Sequence, residues 1–538
     1  MRGIVVCVHP RAAEEGAKVL EAGGNAFDAA VTTAFVQMVV IPFSCGVSGM
    51  MSAHILAPAM GDHVVIDGCL RAGSLASDDM WANDYLGEAA VSGTSLFTDH
   101  RSTMGYSSIC TPGAVAALGE IYGKYCTMPW NELLQPAIRV ARDGFVVTPE
   151  LQETLSVSNL LSDEPSILDR VQSNGPCASI YLHESGVSPK AGSILRNPDY
   201  AETIERLAIN GAADLYTGEL ASDISEDLER NDSFITREDF AEYETKSYTP
   251  ISTDYRGYKV FSNSAPGAGP LLIEALNILN GMDMRQLGHG TTEYLERLAS
   301  TLQLVNQDRI DFLGDPEIIG TGPLNMMISD QRASELRERV LNGEVGRMNP
   351  PLEDTDTTHL TVVDGQGNVA SITHSLGNIS GVVTPGLGFV HNNGMNRYDP
   401  RPGRASSIMP RKARLHLMMP SIALENSRLA MAFGAPGGNA ILSALTQIVS
   451  NVIDFDMTAV EAVTAPRIHA EGQKIWCEAR VRSSTCDDLR SKGFEVVQDA
   501  GSLSRRVARA QLVIIGSGSQ LDGGSDPRGP MGVVYSEI

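Results

Sequence analysis

Asp354-Thr355-Asp356-Thr357-Thr358-His359-Leu360-Thr361-Val362-Val363-Asp364 is a polar run that turns directly into an alternating strand. A Gly-rich turn then leads to a second strand, Asn368-Val369-Ala370-Ser371-Ile372-Thr373. Threonine favours strands and turns, so by itself the pair Thr357-Thr358 reads first as an ordinary strand entrance. The chemical reading is different. Cleavage of the backbone before Thr357 would free an α-amino group of pKa ~7.7–8.0, a usable general base beside its own side-chain hydroxyl. One residue would then carry both nucleophile and base.

Downstream, Gly434-Ala435-Pro436-Gly437-Gly438-Asn439 follows the strand run Arg428–Phe433 and precedes the helical run from Ile441 to Ile453. Two glycines at a helix entrance leave backbone N–H groups unobstructed, which suits an oxyanion; the alternative is a tight strand-to-helix turn. Upstream, Pro10–Gly24 spaces Ala12, Ala13, Ala17, Val19 and Leu20 as one helical face and stops at a Gly pair. A second helix is predicted after a cap at Asn25, and others after Thr111, Trp130 and Pro270. Further strands are predicted near Tyr255 and at Ala510–Gly516. Helices thus dominate the first two-thirds and strands the last third. No fixed-period repeat or low-complexity linker divides the chain, so one interwoven α/β unit is expected.

The 538 residues are 43% hydrophobic and 20% charged, enough to bury a large core. The net charge of −24 argues against nucleic acid and anionic membrane surfaces as partners. The charge is uneven: 24 basic residues face 50 acidic ones up to Asp356, against 17 and 15 from Thr357 onward. Within the later part, Arg397, Arg401, Arg404, Arg411, Lys412 and Arg414 crowd eighteen residues with one acid, Asp399. That basic stretch reads either as an anion-binding loop or as a partner for the acidic front part.

The N-terminus lacks the apolar core of a secretory signal, and the most apolar stretch, from Ala34 to Phe43, is shorter than the ~20 residues of a membrane span. A cytoplasmic location is expected. The eight cysteines form no C-x-x-C pair and are expected to be free thiols. There is no G-x-S-x-G elbow, no Walker A loop, no dinucleotide fingerprint and no H-E-x-x-H. Neither a metal nor an organic cofactor is expected.

Taken in order, the segments His9–Val31, Cys110–Phe145, Asp254–Pro270, Asp356–Leu376, Asn392–Met395, Phe433–Asn439, Ala465–His469 and Ser525–Arg528 resemble the γ-glutamyltranspeptidase (glutathione hydrolase) family of N-terminal-nucleophile hydrolases. The resemblance spans nearly the whole chain. It implies a four-layer αββα sandwich and a precursor that cuts itself between Asp356 and Thr357 into pieces 1–356 and 357–538, which stay wound around each other. It implies Thr357 as nucleophile, Ser375 as a supporting hydroxyl and Gly437 and Gly438 as the oxyanion hole.

The family's glutamate contacts are not matched. The Arg expected after Ile66-Asp67-Gly68 is Cys69, with Arg71 the nearest arginine. The acid expected two places after Asn392-Asn393-Gly394-Met395 is replaced by Asn396 and Arg397, a serine pair by His416 and Leu417, and an Asn by Gly377. The stretch from Asn392 to His416 is also short for a lid loop, so the chain resembles the lidless branch that includes cephalosporin-acylase-like proteins and oxamate amidohydrolase. The expected activity is that of an amidase acting on a small, anionic amide, with Arg397, Asn393, Arg71 and His416 as substrate-binding candidates. A guanidinium such as that of Arg397 matches a carboxylate bidentately. Two alternatives stand beside it: a true γ-glutamyl hydrolase or transferase holding the carboxylate through Arg71 and Arg397, and a non-catalytic binding protein on the same fold.

Self-cleavage is the first expected outcome. By proportion of the 57.5 kDa chain, denaturing gels of purified protein should show pieces of about 38 and about 19 kDa if each residue contributes a similar mass. Thr357→Ala should leave the chain whole and inactive. An active enzyme that remains full-length would overturn the mechanism.

Overall fold

The computed structural model describes residues 3–88, 95–156, 164–344, 357–516, 518 and 520–537. Asp356, half of the expected cleavage bond, lies outside the described residues. The strands that build the two main sheets are, in chain order, β1 (Gly3–Cys7), β2 (Met50–Ala57), β3 (Asp62–Gly68), β4 (Lys246–Tyr248), β5 (Ile251–Tyr255), β6 (Tyr258–Ser262), β7 (Thr358–Asp364), β8 (Val369–Ser375), β9 (Ser421–Glu425), β10 (Arg428–Gly434), β11 (Gln511–Ile515), β12 (Leu521–Ser525) and β13 (Gly532–Ser536). One sheet has the order β13-β1-β7-β8-β2-β3-β4 and the other β12-β11-β10-β9-β6-β5. Every pairing within them is antiparallel.

Period-two alternation sorts the side chains into layers. From β7, Leu360 and Val362 join the cluster under the outer helices, whereas Val363 packs with Ile4, Val6, Val369, Ile422, Ala432 and Val513 between the sheets. The first helical layer holds α1 (Pro10–Glu21), α2 (Ala26–Val40), α3 (Ala114–Tyr125) and α4 (Trp130–Asp143). The second holds α5 (Gly269–Asn280), α6 (Thr292–Phe312) and α7 (Ala440–Ile453) against the other sheet. The architecture is therefore the αββα sandwich.

Helix α2 begins with a reciprocal cap, in which Asn25 Oδ1 accepts from Asp28 N and Asp28 Oδ2 accepts from Asn25 N. All fifteen of its residues are buried, because the sheet covers one side and α1, α3 and α4 the others. That enclosure explains its unbroken apolar character. Among the described residues, no helix is long and apolar enough to cross a membrane.

The structure departs from the sequence reading in three places. The strand predicted near Tyr255 is a hairpin, β5 and β6, turned by Arg256 and Gly257 at φ of 53° and 87°. Strands β1, β2 and β3 stand in the front third, where helices are predicted to dominate; they are short apolar runs whose period does not separate strand from buried helix. The 21-residue α6 also goes unpredicted. Strands from before and after residue 357 alternate across the first sheet, so neither segment completes that sheet alone.

Candidate active site

Thr357 precedes the first residue of β7, and the register Thr358↔His374 sets it opposite Ser375. Thr357 Oγ1 lies 3.0 Å from Ser375 Oγ, and Ser375 Oγ also accepts a hydrogen bond of 2.8 Å from Gly377 N. The next residue, Thr358, points the other way: Gln37 Nε2 on α2 donates to its Oγ1 at 3.0 Å. Alternation thus gives Thr357 to the cleft side and Thr358 to the helix side. Two histidines nearby are committed elsewhere. His359 lies between Thr373 and Thr361, and His374 Nε2 meets Gln37 Oε1 at 2.9 Å. Burial lowers both rings to about 3, with His374 also contributing for His359, so both are neutral near pH 7. An imidazolium beside Thr357 is therefore not part of this geometry.

Gly437 and Gly438 form the turn from β10 into α7, with φ of 138° and 53°. A Cβ on Gly437 would come within 2.4 Å of Ala508 Cβ and 2.6 Å of its Cα, so the turn needs glycine for both conformation and space. Ala508 is itself anchored, since its carbonyl accepts from Arg467 Nη2 at 2.8 Å. Arg467 in turn pairs with Asp526, and Arg528 binds both Asp526 and Glu478. This buried ion network ties the segments Ala465–His469 and Ser525–Arg528 to the wall behind the glycines. Arg509 N also donates to Pro436 O at 3.0 Å. The amides at the start of a helix carry positive partial charge, which places an electropositive end beside Thr357.

Thr357 and Gly438 line one cavity of about 220 Å³. Arg397 and His416 line it too, as the sequence predicts. Five arginines, at positions 309, 397, 401, 404 and 414, and two acids, Glu88 and Asp399, contribute to its wall. The basic loop divides its work. Arg401 pairs with Asp399 and Glu88, and Arg411 with Glu242 and Asp239. Lys412 Nζ is spent on the carbonyls of Ala405 and Ser407. Arg397 and Arg414 line the cavity together with Arg401 and Arg404. Burial, then the charges of Arg414 and Arg309, pulls Arg397 down to about 9, which leaves it cationic at neutral pH. Leu313, Leu415, Leu417 and Ile441 supply an apolar wall beside these cations.

Two predicted substrate contacts are corrected. Asn393 is buried with both ends of its amide in use: Oδ1 accepts from Asn378 N at 3.0 Å and Nδ2 donates to Thr103 O at 3.1 Å. It shapes the backbone behind the cavity rather than its lining. Arg71 lies at a separate pocket with Asp239, Glu242 and Arg411, because its backbone bridges Thr111 and Ala413 and its Nη1 donates to Arg411 O at 3.3 Å.

Of two further cationic wall residues, Arg414 was read only as a member of the Arg-rich run and Arg309 was missed. Arg414 donates from Nε to Gly394 O and from Nη2 to Asn396 Oδ1. A Cβ on Gly377 would fall 2.9 Å from Arg414 Nη2, so the change from Asn to Gly there makes room for this cation. Its place in the Arg-rich run was the available signal. Arg309, on α6 and ion-paired to Glu471 at 2.6 Å, had none.

These features define a class, that of N-terminal-nucleophile amide hydrolases, and the comparisons carry the assignment one step further. The family model described as gamma-glutamyltranspeptidase matches residues 12–536. The Acylase ACY 1 proenzyme of Pseudomonas sp. (strain V22) is 35% identical over 92% of this chain and 88% of its own length. The glutathione hydrolase proenzyme of Escherichia coli (strain K12) is 30% identical over 98% and 90%. Among solved structures, cephalosporin acylase from Bacillus halodurans superposes with a TM-score of 0.87 at 27% identity, covering 100% of this chain and 96% of that one. The chain belongs to the gamma-glutamyltranspeptidase family. It is a self-processing amide hydrolase of that family.

A test of the glycine turn follows from its geometry. Gly437→Ala should displace the turn from Ala508 and lower kcat by about 10²–10³, as loss of one oxyanion donor does, with KM changed little. Steady-state kinetics on soluble variant checks this; an unchanged kcat would remove the turn from the reaction.

Proposed function

We propose that Thr357 is the nucleophile of an acylase whose preferred substrate is an amide of an acid carrying a second, free carboxylate and no α-amine. The carrying observation is that Thr357, Gly438 and Arg397 share one cavity. Thr357 Oγ attacks the carbonyl carbon while its proton passes to the freed α-amine. The N–H groups of Gly437 and Gly438 receive the oxyanion. The C–N bond breaks, the leaving amine takes the proton, and water activated by the same α-amine hydrolyses the threonyl ester. Ser375, 3.0 Å from Thr357 Oγ1, holds the hydroxyl in line.

The substrate charge follows from the wall. A second carboxylate would meet Arg397, with Arg414 beside it, whereas an α-ammonium there would face cations at close range. The names of the acylase relatives agree with removal of an acyl group by amide hydrolysis. The glutathione hydrolase relatives favour the γ-glutamyl reading, but Arg71, one of the two residues it relies on for the carboxylate, sits at another pocket.

Glutaryl amides should therefore exceed γ-glutamyl amides in kcat/KM. Arg397→Ala should reduce kcat/KM for the glutaryl amide by about 10- to 100-fold, mainly through KM, the size of one charge-assisted contact. A γ-glutamyl preference would overturn the substrate assignment, and an unaffected Arg397→Ala variant would overturn the role of that arginine.

Because nucleophile, base and oxyanion donors all belong to the polypeptide in this scheme, hydrolysis should survive exhaustive chelation. Loss of activity restored by a divalent ion, with Tm unchanged throughout, would contradict the mechanism.

A further inference from the structure

At the cavity wall, where His416 is one of the lining residues, three side chains of different chemistry converge. Asp67 is the last residue but one of β3, Cys69 follows the strand directly, and His416 comes from the segment bridged to Gly267. Their donor atoms all lie within 4.8 Å of one another. Asp67 Oδ1 is 3.1 Å from Cys69 Sγ, and Asp67 Oδ2 is 3.4 Å from His416 Nε2. All three residues are buried, at 3%, 5% and 2% exposure.

The arrangement is poorly satisfied as a purely hydrogen-bonded cluster. Tyr248 OH adds only a long contact of 3.3 Å to Asp67 Oδ2. Among the described residues no lysine or arginine lies within ion-pair distance of the Asp67 carboxylate, whose only basic partner there is His416. His416 Nδ1 is buried without a hydrogen-bond partner. A buried carboxylate without a strong cation is costly, and the missing element is positive charge.

Donor identity and spacing say which cation. A thiolate, an imidazole and a carboxylate are the ligands of zinc, with Zn–S near 2.3 Å and Zn–N or Zn–O near 2.0–2.2 Å. A tetrahedron with those bond lengths has edges of about 3.3–3.6 Å. The measured separations, 3.1 Å from Cys69 Sγ to Asp67 Oδ1 and 3.4 Å from His416 Nε2 to Asp67 Oδ2, run to different carboxylate oxygens; with all three donors within 4.8 Å of one another, a bound ion would draw them together by about an ångström. We propose that Asp67, Cys69 and His416 form a zinc site of three protein ligands and one water at the back of the catalytic cavity, where it pins the end of β3 to the wall segment around His416. Binding exchanges the thiol proton for the Zn–S bond and releases that proton to solvent. The site is independent of the reaction at Thr357 and adds no step to it. Sequence inspection misses it because His416 is remote from the other two ligands and no pair has recognised metal spacing.

The experiment uses the full processed chain, stripped by a chelator and then titrated with Zn²⁺ alone by calorimetry, and in parallel with Co²⁺ alone by absorption spectroscopy. The expected results are one equivalent of Zn²⁺ per chain, a raised Tm, and a thiolate-to-cobalt charge-transfer band with the intense visible bands of tetrahedral Co²⁺. Cys69→Ser should abolish the charge-transfer band. Asp67→Asn should weaken Zn²⁺ binding by at least the ~10- to 100-fold seen when an outer partner of a ligand is removed. Absence of stoichiometric Zn²⁺ binding by the unmodified chain would overturn the site, and that reading needs no variant to fold. Persistence of the band in Cys69→Ser would overturn it equally, by placing the metal on another cysteine.

Discussion

The pairing of β7 with β8 is the constraint on which the rest depends. Neighbouring residues on a strand face opposite sides, so the register Thr358↔His374 decides at once which of two adjacent threonines meets the cleft. Thr357 is left facing Ser375, and Thr358 is held by Gln37 from the helical layer. A slip of one residue would exchange the two faces and drive Leu360 and Val362 out of the core beneath α2. The register is therefore held by hydrophobic burial along the whole strand, and the position of a single hydroxyl is a by-product of that larger free energy.

The cavity is built by concentrating cations in an otherwise acidic protein. Burying several guanidinium groups together is unfavourable unless anions are near. The structure meets this cost unevenly. Arg309 has Glu471 at 2.6 Å, which also accepts from Asn439 Nδ2 at the start of α7. Arg401 and Arg404 share Asp399. Arg414 is held by a backbone carbonyl and an amide oxygen rather than a carboxylate. The cavity wall is thus cationic on one side, with the nearby leucines and Ile441 supplying an apolar stretch beside it.

Segments that look like isolated motifs in one dimension act as a single support in three. Arg467, Asp526, Arg528 and Glu478 form a buried network that fixes Ala508, and Ala508 is the surface against which Gly437 rests. Removing one member of such a network strands a buried charge and costs about 3–5 kcal/mol. The glycine turn therefore owes its shape to the ion pairs behind Ala508 as much as to its two glycines.

The sequence by itself determined the helices α1 to α5 and α7, strands β7, β8, β10 and β11, and Thr357, Gly437 and Gly438 as candidates, because these depend on periodicity, turn chemistry and motifs contiguous along the chain; the four-layer sandwich and Ser375 came through the family resemblance. It left β1 to β3 hidden, since a short buried strand carries no alternating face to read. It also placed Arg71 and Asn393 at the substrate, and here tertiary structure decided otherwise. Bridges to Thr111 and Ala413 turn Arg71 to another pocket, and both ends of Asn393 are consumed by backbone partners. The roles of Arg309 and Arg414, and the meeting of Asp67, Cys69 and His416, exist only once distant segments are packed together. Side-chain direction and burial belong to the assembled layers, and no local pattern encodes them.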